Sequence, residues 1–419
     1  MQKDVRVCVV GKVFKPNRLK VLALNRALSE YFRLVKWYLG FNSKSKSFLH
    51  ENGYEKAKES FLLNTALIQT ARDKAVEILK SFEKNGKKDG GLSLRRISMR
   101  FDRRCYSFSK TTNVLTPYWL TLSLNGRERI SLPIVFGEKQ KQRIDEAFRG
   151  EWKFSTVEMV KHNSEWYAHF VLTKTVELVD EPETVVAIDR GEVNLAVAVA
   201  VSKNNPNKPM KGQFWKGEEI KRIRGLYFHI RRKLGRRKLL KKIKTIGRKE
   251  RRMVNQQLHT IANQIMAYAK QFHEPLIVME DLNGIRNRFK GSKRLNRRFH
   301  SLPFRKLQKI IEYKANLEGI EVRCLTRKET RNTSKMCHRC GHVAQVKGRT
   351  FKCPRCGMEY DRDLNACINI AHALMRRMGW RSCEPLEPAD EGMGVKPLQT
   401  LEAHGLQPWV AHAARPATL

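Results

Sequence analysis

Four cysteines in two C-x-x-C pairs constrain the folding of this chain more than any other feature. CHRCG (Cys337, Cys340) and CPRCG (Cys353, Cys356) are separated by an insert of hairpin length. Four thiolates at this spacing can close a tetrahedron around zinc, and Gly341 and Gly357 permit the tight turns that aim backbone amides at sulfur. A redox disulfide would need only one such pair. With all four positions filled by protein, the expected zinc is structural and holds no reactive water. His338 and His342 are then left as polar or phosphate-facing side chains. The other five cysteines, Cys8, Cys105, Cys324, Cys367 and Cys383, are scattered. One tight cluster in an odd total suits a reducing compartment better than a disulfide framework.

Charge narrows the partner. Lys and Arg number 83 against 41 Asp and Glu, a formal net charge of +42 over 419 residues. A field of that size repels itself unless a polyanion neutralises it, and nucleic acid does so with counterion release. No apolar run approaches the roughly 20 residues that span a bilayer, so no membrane partner is expected. Met1 to Phe14 lacks a signal peptide's apolar core, which points to the cytosol or nucleoid. Basic residues concentrate between Lys211 and Arg252, with Arg231, Arg232, Lys233, Arg236, Arg237, Lys238, Lys241 and Lys242 among few acids. A helix so charged lacks compensating acids at i+4, and a phosphate-lined channel explains it better than a solvated face. A second group runs from Arg286 to Arg298. Trp37, Trp119, Trp152, Trp166 and Trp215 could stack on bases, although a core position is the ordinary fate of tryptophan.

The texture changes along the chain. Met1 to Phe14 alternates like a strand. Val21, Leu24, Leu28, Phe32, Val35 and Leu39 recur at helical spacing, as do Leu63, Leu67, Ala71, Ala75, Ile78 and Phe82. The pairs Asn85-Gly86 and Gly90-Gly91 end that pattern. Strands follow at Tyr118 to Leu124 and Arg129 to Phe136, then a hairpin turning at His162-Asn163-Ser164. Strand, helices, then strands suggests a small barrel with a helical insertion. From about Glu183 the pattern becomes α/β: Val185 to Val201 as two apolar strands, a long basic helical stretch from Glu218 to Phe272 with breaks near Gly235 and Gly247, and a buried-type strand at Pro275 to Asp281. A helix ending at Gly319, a strand through Leu325 and a final helix from Asp363 to Arg377 complete it. From Glu384 onward five prolines and little patterning predict a loosely held tail.

Three acids stand where a catalytic metal site would want them. Asp189 ends one apolar strand, Glu280 ends another, and Asp363 opens the final helix. Singly each is an ordinary turn former or cap; Asp363 could serve only as an N-cap. In this order they suit a nuclease. Two divalent ions about 3.5–4 Å apart activate a water and stabilise the leaving oxygen of a phosphodiester, and carboxylates from rigid strand ends and a helix can hold them.

The strings AIDRGEVNLAVAV, IVMEDLNGI, NTSKMCHRCG, CPRCG and DRDLNACINIA, in that order, resemble the nuclease half of TnpB proteins and the smaller type V CRISPR effectors. The resemblance covers about Val185 to Met378. It implies an RNase H-like RuvC domain in which Asp189, Glu280 and Asp363 bind catalytic magnesium, with manganese as the alternative. Asp363, followed by Leu-Asn-Ala, matches the motif; Asp361 is the weaker choice. Arg331, in the stretch leading to Thr333-Ser334, resembles a phosphate-contacting arginine of the family. Arg190 departs from the family, which often has a small or apolar residue after the first Asp.

The expected fold class is therefore α/β multidomain: a wedge-like β-barrel with a helical recognition insert (1–182, insert about 17–90), a RuvC-like domain with an inserted zinc ribbon (183–378, ribbon about 333–360) and a flexible tail (379–419). The expected function is an RNA-guided DNA endonuclease of a transposable element, with guide RNA and double-stranded target DNA as partners. Its rivals are a type V CRISPR effector, a non-cleaving RNA-guided DNA-binding regulator, which would be expected to have lost one acid, and an unguided zinc-ribbon DNA-binding protein.

Overall fold

The computed structural model describes residues 2–84, 92, 94–125, 128–282, 292, 296, 301–345 and 348–380. The pairs Asn85-Gly86 and Gly90-Gly91, the basic residues between Arg286 and Arg298, Cys383 and the tail from residue 381 lie outside the described residues. The chain forms two compact units, Gln2–Val176 and the part from Glu177 onward.

The first unit carries strands β1 (Gln2–Val13), β2 (Met99–Phe101), β3 (Tyr106–Lys110), β4 (Tyr118–Ser123), β5 (Arg129–Val135), β6 (Lys153–His162) and β7 (Glu165–Glu177). They join in one sheet of order β2-β6-β7-β1-β5-β4-β3. The β6–β7 hairpin turns on Asn163 (φ 49°) and Ser164 (φ 64°), the two left-handed residues that a tight two-residue turn matching strand twist requires. Between β1 and β2 lie α1 (Arg18–Gly40), α2 (Lys46–Ser60) and α3 (Thr65–Lys84). Asn17 starts α1 by accepting from the Lys20 amide at 2.9 Å. Of the repeating apolar positions, α1 buries Leu24 and Val35 and leaves Val21, Leu28, Phe32 and Leu39 half-buried, with Tyr31, Leu34 and Tyr38 completing its buried face, while α3 buries Leu67, Ala71 and Ala75. Neither α2 nor α4 (Glu138–Phe148) had a sequence signal of comparable strength. Gly53 explains how α2 packs: a Cβ there would meet the Tyr38 and Trp37 rings at 3.1 and 3.2 Å, so the glycine permits a close approach to α1.

The second unit contains β8 (Thr184–Asp189), β9 (Asn194–Ser202), β10 (Gln213–Lys216), α5 (Glu218–Arg236), α6 (Leu240–Ala269), β11 (Pro275–Glu280), α7 (Phe304–Leu317), β12 (Val322–Leu325), β13 (Thr350–Lys352), β14 (Glu359–Asp361) and α8 (Arg362–Arg377). Its five-stranded sheet has the order β10-β9-β8-β11-β12. β8, β9 and β10 pair antiparallel, whereas β8, β11 and β12 are parallel. Continuous apolar strands of this kind must be covered on both faces. Val186, Ile188, Ile277 and Met279 pack with α6 and α7. Val185, Ala187, Leu276 and Val278 pack on the other face with Ile368, Ala371 and Met375 of α8.

The basic stretch folds as two helices with one break. Lys238, at φ 54°, turns the chain between α5 and α6, and α6 runs uninterrupted through Gly247, where a second break was expected. Apolar anchors Ile220, Ile223 and Tyr227 hold the start of α5, while Val254, Leu258 and Ile265 hold the later part of α6. From Phe228 to Lys249 no residue is buried. Trp152, Trp166 and Trp215 are core residues; Trp37 and Trp119 are partly covered.

Candidate active site

Strand register brings the first two acids together. β8 and β11 are parallel neighbours with Ile188 beside Met279, so Asp189 and Glu280 leave the sheet side by side. Side chains alternate across a strand. Because Ile188 and Met279 face α6 and α7, the two acids that follow project toward the opposite face, where α8 lies. The first turn of α8 supplies Asp363.

Asp361 and Asp363 have separate tasks. Asp361 is the N-cap of α8, accepting from the amides of Asp363 (2.8 Å) and Leu364 (3.0 Å). Asp363 is therefore free of capping duty, contrary to the expectation that it might serve only as a cap. Its Oδ2 accepts from Asn194 Nδ2 at 2.8 Å and from the Arg349 guanidinium. Glu280 Oε1 accepts from the Thr330 hydroxyl at 3.0 Å. Asp189 Oδ1 accepts from the Arg190 amide at 2.7 Å.

A cleft of about 370 Å³ is lined by Asp189, Glu192, Ser334, Arg349, Arg362 and Asp363, among others. Burial first, then the charges of Asp363 and Glu280, push the Asp189 carboxyl up to about 6 against the opposing hydrogen bond from the Arg190 amide. Mutual repulsion of this kind is relieved by a cation. The three hard oxygen donors suit magnesium or manganese. They are not drawn into one tight cluster: among the described residues, the metal-type groups with ligand atoms all within 4.8 Å are the four cysteines and the largely exposed Glu183, His273 and Glu274.

Arg331 is exposed and does not line this cleft. The arginines there are Arg349, which no local motif marks, and Arg362, the central residue of the D-R-D string. Arg190 turns inward: its guanidinium donates to Gln308 Oε1 at 2.7 Å, to the Phe304 carbonyl at 3.3 Å and to the Glu280 carbonyl. It thus ties the ends of β8 and β11 to α7, which accounts for a large cation where a small residue was expected.

The four cysteines form a second centre. Cys337 Sγ lies 3.6 Å from Cys356 Sγ, and Cys340 Sγ lies 3.5 Å from Cys353 Sγ. Zinc–sulfur bonds of about 2.3 Å in a tetrahedron put sulfurs about 3.8 Å apart, so this donor set fits zinc. Both knuckles use one hydrogen-bond pattern. Cys337 and Cys353 amides donate to the His342 and Met358 carbonyls, and Gly341 and Gly357 amides donate back to the Cys337 and Cys353 carbonyls, all at 2.8–3.0 Å. Gly341 (φ +71°) and Gly357 (φ +68°) adopt the left-handed conformation this requires.

Helix α8 grips that centre from below. Asn365 Oδ1 accepts from the His338 amide (3.1 Å) and pairs with its Nδ1 (2.9 Å), and Asn365 Nδ2 donates to the Met336 carbonyl at 2.8 Å. Asn369 Nδ2 donates to the carbonyls of Thr333 (2.8 Å) and Met336 (2.6 Å). His338 also stands edge-on to Tyr360, with ring centroids 5.0 Å apart. It is a polar internal link, one of the two roles expected of it, and not a phosphate-facing group; burial holds its imidazole below the ordinary range.

Of the predicted nucleic-acid residues, Arg232, Lys233, Arg236, Arg237, Lys238, Lys241 and Lys242 are exposed. Arg231 is not equivalent to them. With Arg224, 2.8 Å from Glu250 Oε1, it neutralises a glutamate that is only 2% exposed.

The family described as Cas12f1-like, TNB domain matches residues 304–370. The CRISPR-associated endodeoxyribonuclease Cas12f1 of Sulfoacidibacillus thermotolerans is 26% identical over 82% of this chain and 89% of its own. A solved Cas12f1–sgRNA–target DNA complex shares the fold at TM-score 0.63 and 16% identity, covering 84% of this chain and 82% of that one. TnpB-like protein MJ0751 of Methanocaldococcus jannaschii is 31% identical over 252 residues, 58% of this chain and 86% of that protein. On that similarity the chain belongs to the TnpB-like proteins.

Proposed function

We propose that the chain is an RNA-guided DNA endonuclease of a transposable element, hydrolysing target DNA at Asp189, Glu280 and Asp363. The observation that carries this reading is the convergence of the three carboxylates from two parallel strand ends and one helix start in a chain of this family. The five-stranded sheet, three antiparallel strands continued by two parallel ones, supports an RNase H-like RuvC domain over 183–378. Magnesium, when bound, supplies an activated water and stabilises the leaving oxygen. Asp189 and Glu280 hold their places through the shared edge of the sheet, Thr330 orients Glu280, and Asn194 orients Asp363. Zinc at Cys337, Cys340, Cys353 and Cys356 keeps the ribbon folded on α8.

The partners follow from the relatives. Cas12f1 is named an endodeoxyribonuclease, and its solved complex contains sgRNA and target DNA. In this chain the exposed cations of the α5–α6 hairpin offer a backbone track for such a duplex. The first unit, read as a wedge-like barrel with the helical insert, has a groove of about 650 Å³ lined by Asn25, Phe32, Arg95, Arg96, Lys161 and Asn163. Its amides and cations suit a DNA segment flanking the target.

The test supplies one protein with two guide RNAs of different spacer sequence. The cut should follow the spacer. A cut that stays at one DNA site whichever guide is loaded refutes RNA guidance.

A further inference from the structure

We propose that Arg190 is a positioning residue that sets the spacing of Asp189 and Glu280, and that Gln308 of α7 acts on both acids through it. This deepens the nuclease reading above and rests on it. The ladder between β8 and β11 ends with Ile188 beside Met279, one residue short of both acids. Asp189 is still paired with Val197 of β9, and Glu280 with Leu325 of β12. Each acid is thus held from its outer side, while strand pairing does not hold the one against the other.

Arg190 spans that gap. Its backbone amide donates to Asp189 Oδ1 at 2.7 Å, which fixes the direction of that carboxylate. Its guanidinium crosses to the neighbouring strand, where one nitrogen donates to the Glu280 carbonyl. The other terminal nitrogen donates to Gln308 Oε1 at 2.7 Å and to the Phe304 carbonyl at 3.3 Å, both on α7. The residue is 6% exposed. A buried charge that loses its partners is costly, so the guanidinium keeps this one position.

The far end of the brace is fixed as well. Gln308 Nε2 donates to Glu312 Oε1 at 2.9 Å and to Cys324 Sγ at 3.1 Å. Cys324 sits opposite Met279 in the β11–β12 ladder. A guanidinium offers only donors and a carboxylate only acceptors, so the Gln308 amide can face one way. Leu307 and Ile311, on either side of it, are fully buried in the core that α7 shares with α6 and the sheet.

Geometry and charge make opposite demands here. By charge alone, removing a cation beside the acids would tighten the binding of a divalent ion. Removing a brace between two ligands weakens it, since the partners that orient metal ligands govern affinity. A lysine would keep the charge, but its single nitrogen cannot serve α7 and β11 together as the planar fork does.

The experiment titrates Mn²⁺ into the full-length, RNA-free protein, reads the free ion by electron paramagnetic resonance, and subtracts the binding that persists in D189N. R190M should weaken the Asp189-dependent binding about 10- to 100-fold, the range for partners that orient metal ligands. Q308M, which leaves Arg190 and the acids in place, should weaken it by about tenfold. R190K should do no better than R190M. The double variant R190M/Q308M should bind no more weakly than R190M, because the two residues act as one brace. Unchanged or tighter binding in R190M, rescue by R190K, or additive losses in the double variant overturns the proposal. All titrations run well below melting, and a variant that melts lower yet binds Mn²⁺ like the wild type shows a structural role only, which also overturns it. Should R190M fail to fold, Q308M decides alone, and wild-type Mn²⁺ affinity there refutes the brace. Cleavage of guide-matched DNA should follow the same order, with more Mg²⁺ needed for half-maximal rate in Q308M. If the wild type cuts no such DNA, the nuclease reading falls, and the Mn²⁺ series still decides whether Arg190 and Gln308 place the acids.

Discussion

The carboxylate of Asp361 accepts a hydrogen bond from the backbone amide of Asp363 at 2.8 Å. Of the two acids in one D-R-D string, Asp361 thereby serves the fold, and Asp363 is left to the proposed chemistry. Asp361→Ala removes the N-cap of α8 and should lower stability by about 1 kcal/mol, while Asp361→Asn keeps most of the cap. Cleavage at a temperature well below melting should persist in both. Asp363→Ala should leave melting nearly unchanged and abolish cleavage, with guide-RNA binding intact. Normal cutting by Asp363→Ala would reverse the assignment.

The pH dependence follows from Asp189. Its folded value is pushed up to about 6 from the ordinary 3.8, by burial first and then by Asp363 and Glu280. Between those values the folded chain keeps a proton that the unfolded chain has lost. This contribution to stability is present at low pH and lost as pH rises through about 6. Without added magnesium, Asp189→Asn should therefore melt higher than wild type at pH 7.5, and the difference should shrink toward pH 4. Metal binding needs the ionised form. Cleavage at limiting magnesium should rise with pH through about 6, and its midpoint should move down as magnesium increases. A midpoint indifferent to magnesium would remove Asp189 from the metal site.

Elements with one strong local pattern were legible in the sequence, and those that depend on distant partners were not. The strand VVAID and the apolar stripe of α1 both announced their elements, although the buried face of α1 lies one position back, on Ala27, Tyr31 and Tyr38 rather than Leu28, Phe32 and Leu39. Helix α2 has few apolar residues and a central glycine, and its place depends on rings of α1 that fit against Gly53. Likewise Asp189, Glu280 and Asp363 were visible as acids at element ends. Arg349, Asn194 and Thr330 were not, because what brings them to those acids is strand register and the fold of the ribbon. Asn194 had one signal available: a polar residue opening the otherwise apolar strand NLAVAVAV. For His338 the useful signal would have been the two asparagines of DLNACIN, four residues apart and so on one helical face.

Zinc should act on cleavage through α8. About one zinc per chain is expected by metal analysis, and Cys337→Ser or Cys356→Ser should lower the melting temperature and slow cutting although no acid is altered. Asn369→Ala tests the link without touching a thiolate. Its buried amide satisfies two carbonyls, of Thr333 and Met336, and leaving these unpaired costs about 1–3 kcal/mol. Zinc content should stay near one per chain while stability falls. Full activity in a protein shown to be zinc-free would end the structural role.

The α5–α6 hairpin separates cations that hold the fold from cations available to phosphate. Arg231 and Arg224 both engage Glu250, which is almost fully buried, so Arg231→Gln leaves a buried carboxylate with one partner fewer and should reduce thermal stability. Its effect on nucleic-acid binding should be small. Arg232, Arg236 and Arg237 are exposed on the part of the hairpin that contributes no residue to the core. Neutralising these three should weaken binding to all duplex sequences alike, because phosphate contacts carry no base information. Each arginine–phosphate pairing removed should also flatten the slope of log affinity against log salt by about 0.9. The measurement is a salt series for matched and unmatched duplexes with both variants. If Arg231→Gln flattened the slope as the triple variant does, Glu250 would not be its working partner, and the hairpin would be a uniform basic track.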